Sequence, residues 1–344
     1  MRTVSRHFWG ANGPLGPLRR ALSAAITRHL ARRLLRTMER ATPSPFATAP
    51  PDGYRRGIDH YSRQDLIAAL QNVLASYRRA CGRYPDLARP RFYSEKVNHA
   101  KFFAPIKVPE SGNKLLTGNF LPPALAGQVG VPEVVWHHDQ PVLPANDRLA
   151  PGAYYLKASH GSDMVQQIRY PLEAGQREAL EATCRQWLNR RFGLEQGEWW
   201  YNCFPRRLLI ERSITSTTPS LSLLCYVLGG EVALITVFAK ALQRGQPNRR
   251  LLLDGHFVPL AEQDPEERQL KDFQLSEPLQ QRCLEVARTV AGPFRSVRVD
   301  LMVGDDGRIY LNVITFSPNA GDPFVSRDLD LRLGQLWPGT GLWR

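Results

Sequence analysis

A chain of 344 residues with 43% hydrophobic content can build two or three lobes around substantial cores, and none of its apolar runs reaches the ~18 residues expected of a membrane span. The formal charge of +13 is lopsided: residues 1–57 hold eleven arginines and no lysine against Glu39 and Asp52, a net +9, which leaves +4 for the other 287 residues. The basic balance is therefore an N-terminal property, it does not imply a nucleic-acid-binding catalytic lobe, and no nucleic-acid partner is expected.

Within the basic segment, Leu18, Leu22, Ile26, Leu30, Leu34 and Met38 recur every four residues, widened by Ala21, Ala25 and Leu35 and surrounded by arginines at 19, 20, 28, 32, 33, 36 and 40. This is a basic amphipathic helix. It can lie on an anionic membrane surface through residues 1–40, dock on a partner, or pack on its own domain. The proline-rich stretch Ala41–Gly53 then reads as a linker.

Further on, Leu66, Leu70, Val73 and Leu74 place a helix over Tyr61–Arg79, with Ser62 as its cap. Lys96 and Lys101 read as surface lysines, with phosphate contact as the alternative for each. Strands are expected at Val131–Trp136, Tyr154–Ala158, Arg207–Glu211, Ser222–Leu228 and Val232–Phe238, with Gly229 and Gly230 turning the last pair into a hairpin. His137 and His138 lack a third spaced ligand and do not suggest a metal site. Helices are expected at Gln176–Phe192 and Pro278–Val290, and Trp199, Trp200 and Tyr201 read as core aromatics, with glycan stacking as the alternative. The five cysteines, Cys81, Cys184, Cys203, Cys225 and Cys283, form no CxxC pair and read as reduced thiols. The N-terminus lacks a continuous apolar h-region, so the expected location is cytoplasmic, with the inner membrane surface as a peripheral site.

Two segments carry chemistry. Lys157 ends the apolar run from Tyr154 and leads into Ala158, Ser159, His160, Gly161 and Ser162, so its ammonium could meet a phosphate beside backbone N–H groups of a small loop; a solvated strand end is the alternative. Asp300 lies among Val297, Val299 and Leu301, where an unpaired carboxylate would cost several kcal/mol, and so calls for a metal ion or a cationic partner. Asp305, Asp306 and Gly307 form the turn to the next strand.

The order of these pieces resembles the ATP-grasp superfamily, particularly its teichuronopeptide-biosynthesis (TupA-like) branch. The matching segments are Arg91–Asn98, Leu156–Ser162, Leu208–Ile214, Val297–Leu301 and Ile309–Pro318, spanning residues 90 to 335. The resemblance implies an α+β ATP-grasp fold in which two sheet-bearing lobes clasp a nucleotide. It divides the chain into residues 1–57 (helix and linker), 58–150 (a helical region before the clasp) and 151–344 (a small lobe to about 215, then a large lobe). It also implies that Lys114 and Lys157 contact phosphates, that Ser159, His160, Gly161 and Ser162 cover them, and that Glu211 with Arg212 and Ile214 holds adenine. Arg298 would contact substrate or phosphate, and Asp300 with Thr315 would hold Mg2+.

The chain departs from the family pattern at four places. Val313 stands where the last strand has a metal-binding glutamate, Ser222 replaces a lysine, Ser220 an aspartate, and Asp163 a loop glycine. Asn312 could substitute for the glutamate only if a bulge re-aimed it. The resemblance implies an ATP-dependent carboxylate–amine ligase that joins an amino acid to an acidic cell-surface glycan or its precursor. The alternatives are a catalytically degenerate nucleotide-binding or scaffolding protein of the same pathway and, more remotely, a glycan kinase.

Overall fold

The computed structural model describes residues 16–41, 54–107, 110–173, 175–216, 220–239, 248–263, 268–270, 272–324 and 326–343. The proline-rich segment expected to be a linker lies almost wholly outside them. The architecture is α+β, with a seven-stranded sheet, a four-stranded sheet and a two-stranded ribbon among the described residues.

Helix α1 spans Gly16–Ala41. It packs on α2, Arg63–Cys81, which starts at Ser62, whose hydroxyl accepts from the Asp65 N–H at 3.1 Å, and ends at Gly82 in the left-handed conformation. The buried stripe of α1 is Thr27, Ala31, Leu35 and Met38, facing Leu66, Leu70, Val73 and Leu74. This corrects the expected stripe: Leu22 and Ile26 are exposed. At roughly 100° per residue a strict four-residue repeat gains about 40° at each step, so its early members rotate away from the packed side.

A short ribbon pairs β1, Tyr54–Arg56, with β2, Pro105–Lys107, on either side of helix α3, Tyr93–Phe103. Every side chain of α3 is buried, including those expected at the surface. Lys96 donates to the carbonyls of Gly334 (2.7 Å) and Trp337 (2.5 Å), and Lys101 to that of Ala320 (2.8 Å). Ser94 bonds Asp330, and Asn98 bonds the Gly321 carbonyl. The polar half of the Arg91–Asn98 motif thus clips the C-terminal segment, including α6 at Arg327–Leu336, to the fold.

The smaller sheet is antiparallel, in the order β4 (Val134–His138), β7 (Leu208–Arg212), β5 (Gly152–Ala158), β6 (Val165–Tyr170). Its strand β4 begins three residues later than expected, after the two-residue β3, Val129–Gly130, which joins the other sheet. Helix α4, Gln176–Asn189, covers this sheet through Leu180 and Cys184 and ends before Phe192.

The larger sheet runs β11 (Arg268–Gln269), β10 (Arg249–Leu253), β9 (Glu231–Ala239), β8 (Leu221–Leu228), β12 (Ser296–Val303), β13 (Ile309–Thr315), β3. Strands β8 and β9 are joined by Gly229 and Gly230, both at positive φ (62° and 105°), as a two-residue hairpin requires. Helix α5, Glu277–Val290, buries Cys283, Leu284, Val286, Ala287 and Val290 in the core shared with Cys225, Val299 and Leu301. Strand alternation therefore turns Arg298 and Asp300 to the opposite face of the sheet, away from α5. The five cysteines are free thiols, and no helix among the described residues is long and apolar enough to cross a membrane.

Candidate functional site

In the smaller sheet, Lys157 and Glu211 lie diagonally across the β5–β7 ladder on one face, since Glu211 faces Tyr155 and Lys157 faces Leu209. Their side chains form an ion pair, only 13% and 9% exposed. Lys157 is not a solvated strand end. The ammonium also lies 5.8 Å from the centre of the Tyr155 ring, and the Tyr155 hydroxyl reaches Ser220 at 2.7 Å, just ahead of β8 in the larger sheet. Ser220 therefore ties one sheet to the other.

The loop after β5 is tightly built. The Ser159 backbone exchanges hydrogen bonds with Lys114 and Arg207, and its hydroxyl accepts from the Arg207 N–H at 3.0 Å, so this serine extends the strand pairing. His160 is buried, and its Nε2 meets the Arg190 carbonyl at 3.2 Å. Burial, reinforced by nearby Arg206 and Lys114, pulls its pKa down to about 4, so the ring is neutral near pH 7 and donates from Nε2. Gly161 takes φ +98°, and a Cβ there would meet Phe192 at 2.5 Å and Met164 at 2.8 Å. Ser162 and Asp163 are exposed at the tip, with Asp163 left-handed at φ 63°.

Lys114 comes to this loop from 43 positions before Lys157. It opens a 3-10 helix, Lys114–Phe120, capped by the Asn113 side chain, and its ammonium donates to the Gly161 carbonyl. Thr117 of the same turn reaches the Asn312 carbonyl at 3.5 Å, so one short segment touches both the loop and β13.

Of the residues expected at adenine, Glu211 and Arg212 are engaged in strand pairing. The Arg212 N–H donates to Glu133 O at 2.9 Å, while its exposed guanidinium bonds the Glu133 carboxylate. The Ile214 carbonyl accepts from Asp305 in the β12–β13 turn.

In the larger sheet the cation sought by Asp300 is Arg298, two residues away on the same face, with both guanidinium–carboxylate contacts at 2.7 Å. Burial disfavours both charges. For Arg298 the Asp300 carboxylate outweighs it and raises the guanidinium pKa; for Asp300 burial pushes the carboxyl up against the pull of Arg298. Arg298 also reaches the Thr315 hydroxyl at 3.4 Å and stacks near Tyr226.

As a metal site, this face offers one carboxylate, Asp300, and the Thr315 hydroxyl, with Val313 across the ladder from Asp300. Among the described residues no group of three or more His, Cys, Asp or Glu side chains could hold a metal ion. Magnesium is commonly held by one or two carboxylates together with phosphate oxygens and water. The donor set therefore fits a single ion shared with a phosphate, and requires Asp300 to release one contact with Arg298.

A second polar cluster was not anticipated from the sequence. Glu198 is buried beside Lys101, Ser317, Asp322 and Arg298; burial raises its pKa against the pull of Lys101, and Ser317 donates to it. Burial in turn pulls Lys101 down to about 8. The segment that follows Ser317 holds Asn319 and Ala320 at φ 52° and 50°, a left-handed conformation that costs energy for alanine and is pinned by Lys101 and Asn98. The only sequence signal was a lone carboxylate heading the aromatic run Trp199–Tyr201. A cavity of about 580 Å3 between β6 and α4, lined by Gln166, Arg169, Gln176 and Thr183 among others, includes none of these groups.

No protein-family model and no curated protein matches the chain. Among solved structures it is similar to a D-alanine–D-alanine ligase from Bacillus anthracis complexed with ATP, at 14% identity and TM-score 0.36 over 65% of each chain. It is likewise similar to the ATP-grasp ligase PsnB complexed with a phosphomimetic variant of its minimal precursor, Mg and ADP, at 14% and 0.36 over 79% of this chain and 70% of that one. A third is an L-amino acid ligase from Bacillus licheniformis, at 10% and 0.39 over 75% of this chain and 49% of the other. The chain thus spans less than two thirds of the first and third of these.

Proposed function

We propose that the protein is an ATP-grasp ligase of the TupA-like type that uses ATP to join an amino acid to an acidic cell-surface glycan or its precursor. The observation that carries this reading is that Lys114, 43 positions before Lys157, brings its ammonium to the Gly161 carbonyl of the loop that follows Lys157, whose own ammonium is paired with Glu211 on the adjoining strand. One ammonium at a tight glycine-bearing loop and a second on the strand that leads into it suit a polyphosphate, which needs fixed positive charge and close backbone approach.

In this reading Lys114 and Lys157 hold the phosphates under the loop, Lys157 exchanging its contact with Glu211 for one with ATP, and Glu211, Arg212 and Ile214 flank the adenine. Magnesium, when bound, supplies neutralisation of phosphate charge, with Asp300 and Thr315 as its protein ligands. A carboxylate oxygen of one substrate attacks the γ-phosphorus and ADP leaves. The amine nitrogen of the other then attacks the acyl carbon, inorganic phosphate departs, and the nitrogen loses a proton. Arg298, freed in part from Asp300, stabilises the transferring phosphoryl group. The location that goes with this role is the cytoplasm, near the membrane where envelope glycans are assembled.

A second reading is favoured by the β12–β13 ladder: with Asp300 held at both oxygens by Arg298 and faced by Val313, the protein binds nucleotide without turning it over. Phosphate release from ATP, followed with purified protein across a panel of amino acids and uronic-acid glycans, separates the two. Acceptor-dependent release supports the ligase; nucleotide binding without release under any acceptor supports the second reading; no nucleotide binding refutes both.

A further inference from the structure

Helix α1 has two long faces, and among the described residues one of them is packed against the rest of the fold. Thr27, Ala31, Leu35 and Met38 are buried against α2. On the opposite side, at roughly 100° per residue, fall Leu22, Ile26, His29, Arg33, Arg36 and Arg40, and all six are exposed. Leu22 is 60% and Ile26 42% exposed, one turn apart, and they are two of only five large hydrophobic side chains exposed among the described residues. The face is thus apolar toward the N-terminal end and basic toward the C-terminal end. Beside it, His29, Arg32 and Arg36 of α1 with Arg63 and Ile67 of α2 line a groove of about 340 Å3. The one acidic side chain of α1, Glu39, is engaged by Arg63 at 2.6 Å.

We infer that this face docks on an anionic phospholipid surface, with Leu22 and Ile26 entering the boundary between headgroups and acyl chains and Arg32, Arg33 and Arg36 meeting lipid phosphates. The charge selects an anionic partner. The exposed leucine and isoleucine select a bilayer over a nucleic acid, because a polyanionic rod gives arginines their contacts but offers no apolar phase to bury Leu22 and Ile26. The inference is independent of the nucleotide site, and ATP affinity measured on the same variants should not change.

The test is co-sedimentation of the full chain with vesicles of phosphatidylcholine alone or mixed with phosphatidylglycerol. The protein should bind the mixed vesicles and not the neutral ones. Leu22→Ser/Ile26→Ser should lower the partition coefficient at least about tenfold, and Arg33→Ser/Arg36→Ser should lower it similarly and flatten its salt dependence. All four residues are exposed, so the variants should keep the parent circular dichroism and melting temperature. No binding to mixed vesicles overturns the inference. So does binding that the arginine pair abolishes but the Leu22/Ile26 pair leaves intact, which would mark a general polyanion surface, as would equal binding to duplex DNA insensitive to Leu22 and Ile26. Self-association lost in the Leu22/Ile26 variant, without vesicle binding, would assign the face to a second copy and overturn it as well.

Discussion

Val313 stands directly across from Asp300 in the β12–β13 ladder, and the pairing then jumps, with Leu301 facing Leu311, so that Asn312 is the extra residue of a bulge beside Val313. A bulge of this kind bends a strand and re-aims a side chain. An aliphatic residue thus stands across from Asp300, beside a neighbour that carries an amide oxygen at an irregular point of the strand, and this arrangement bears on whether the proposed site turns nucleotide over.

If the protein is degenerate, Val313→Glu should place a second carboxylate across from Asp300 and raise ATP affinity only when magnesium is present, as read by calorimetry with and without chelator. If it is an adapted enzyme, the same substitution should bring little gain, whereas Asp300→Asn should abolish acceptor-dependent phosphate release. An Asp300→Asn protein that keeps full turnover would refute the metal role.

Asp300→Asn should also destabilise the fold by about 3–5 kcal/mol, since it leaves the Arg298 guanidinium buried without its counter-charge. Replacing both partners, Arg298→Met with Asp300→Leu, should recover much of that loss. Denaturant unfolding of the three proteins checks this; a double variant no more stable than Asp300→Asn would contradict it.

Lys157→Ala should weaken ATP binding at least tenfold, about 1.4 kcal/mol. Unchanged ATP affinity in folded Lys157→Ala removes this lysine from the site.

Gly161→Ala combines a positive φ with contacts of 2.5 and 2.8 Å to Phe192 and Met164. A strain of about 1–3 kcal/mol should follow, felt mostly as displacement of the loop. Nucleotide affinity should drop more than global stability does, which parallel calorimetry and thermal melts would reveal.

Asp330 provides a test by pH. Burial raises its pKa to about 6, against the hydrogen bonds from Ser94 that favour the ionised form. An ordinary aspartate ionises near 3.9, so between the two values the folded state holds more protons than the unfolded one. The stability this confers is complete below the unfolded pKa and fades as pH rises through about 6, a change of roughly 2–3 kcal/mol. Asp330→Asn should flatten the pH 4–6 slope of unfolding free energy relative to the parent, and an unaltered slope would show that Asp330 is not its source.

What the sequence determined by itself is local or short-range. Ser62 caps α2 because a hydroxyl just ahead of an apolar repeat satisfies a free N–H; Gly229 and Gly230 close a hairpin because both positions need positive φ; and Asp300 demanded a cation because alternation in an apolar strand commits it to burial. Tertiary structure decided the rest. Lys96 and Lys101 are buried because their carbonyl acceptors arrive from 238, 241 and 219 residues away, and nothing beside a lysine announces such partners. The same holds for Glu198, whose burial among Lys101, Ser317 and Asp322 depends on segments that meet only in the fold. In α1 the four-residue repeat was legible, but which side was buried depended on where α2 lay, and that contact turned Leu22 and Ile26 outward. Periodicity reports what a segment can bury; only the arrangement of distant segments decides what it does bury, because hydrophobic burial is non-directional and takes whichever apolar face its neighbours cover.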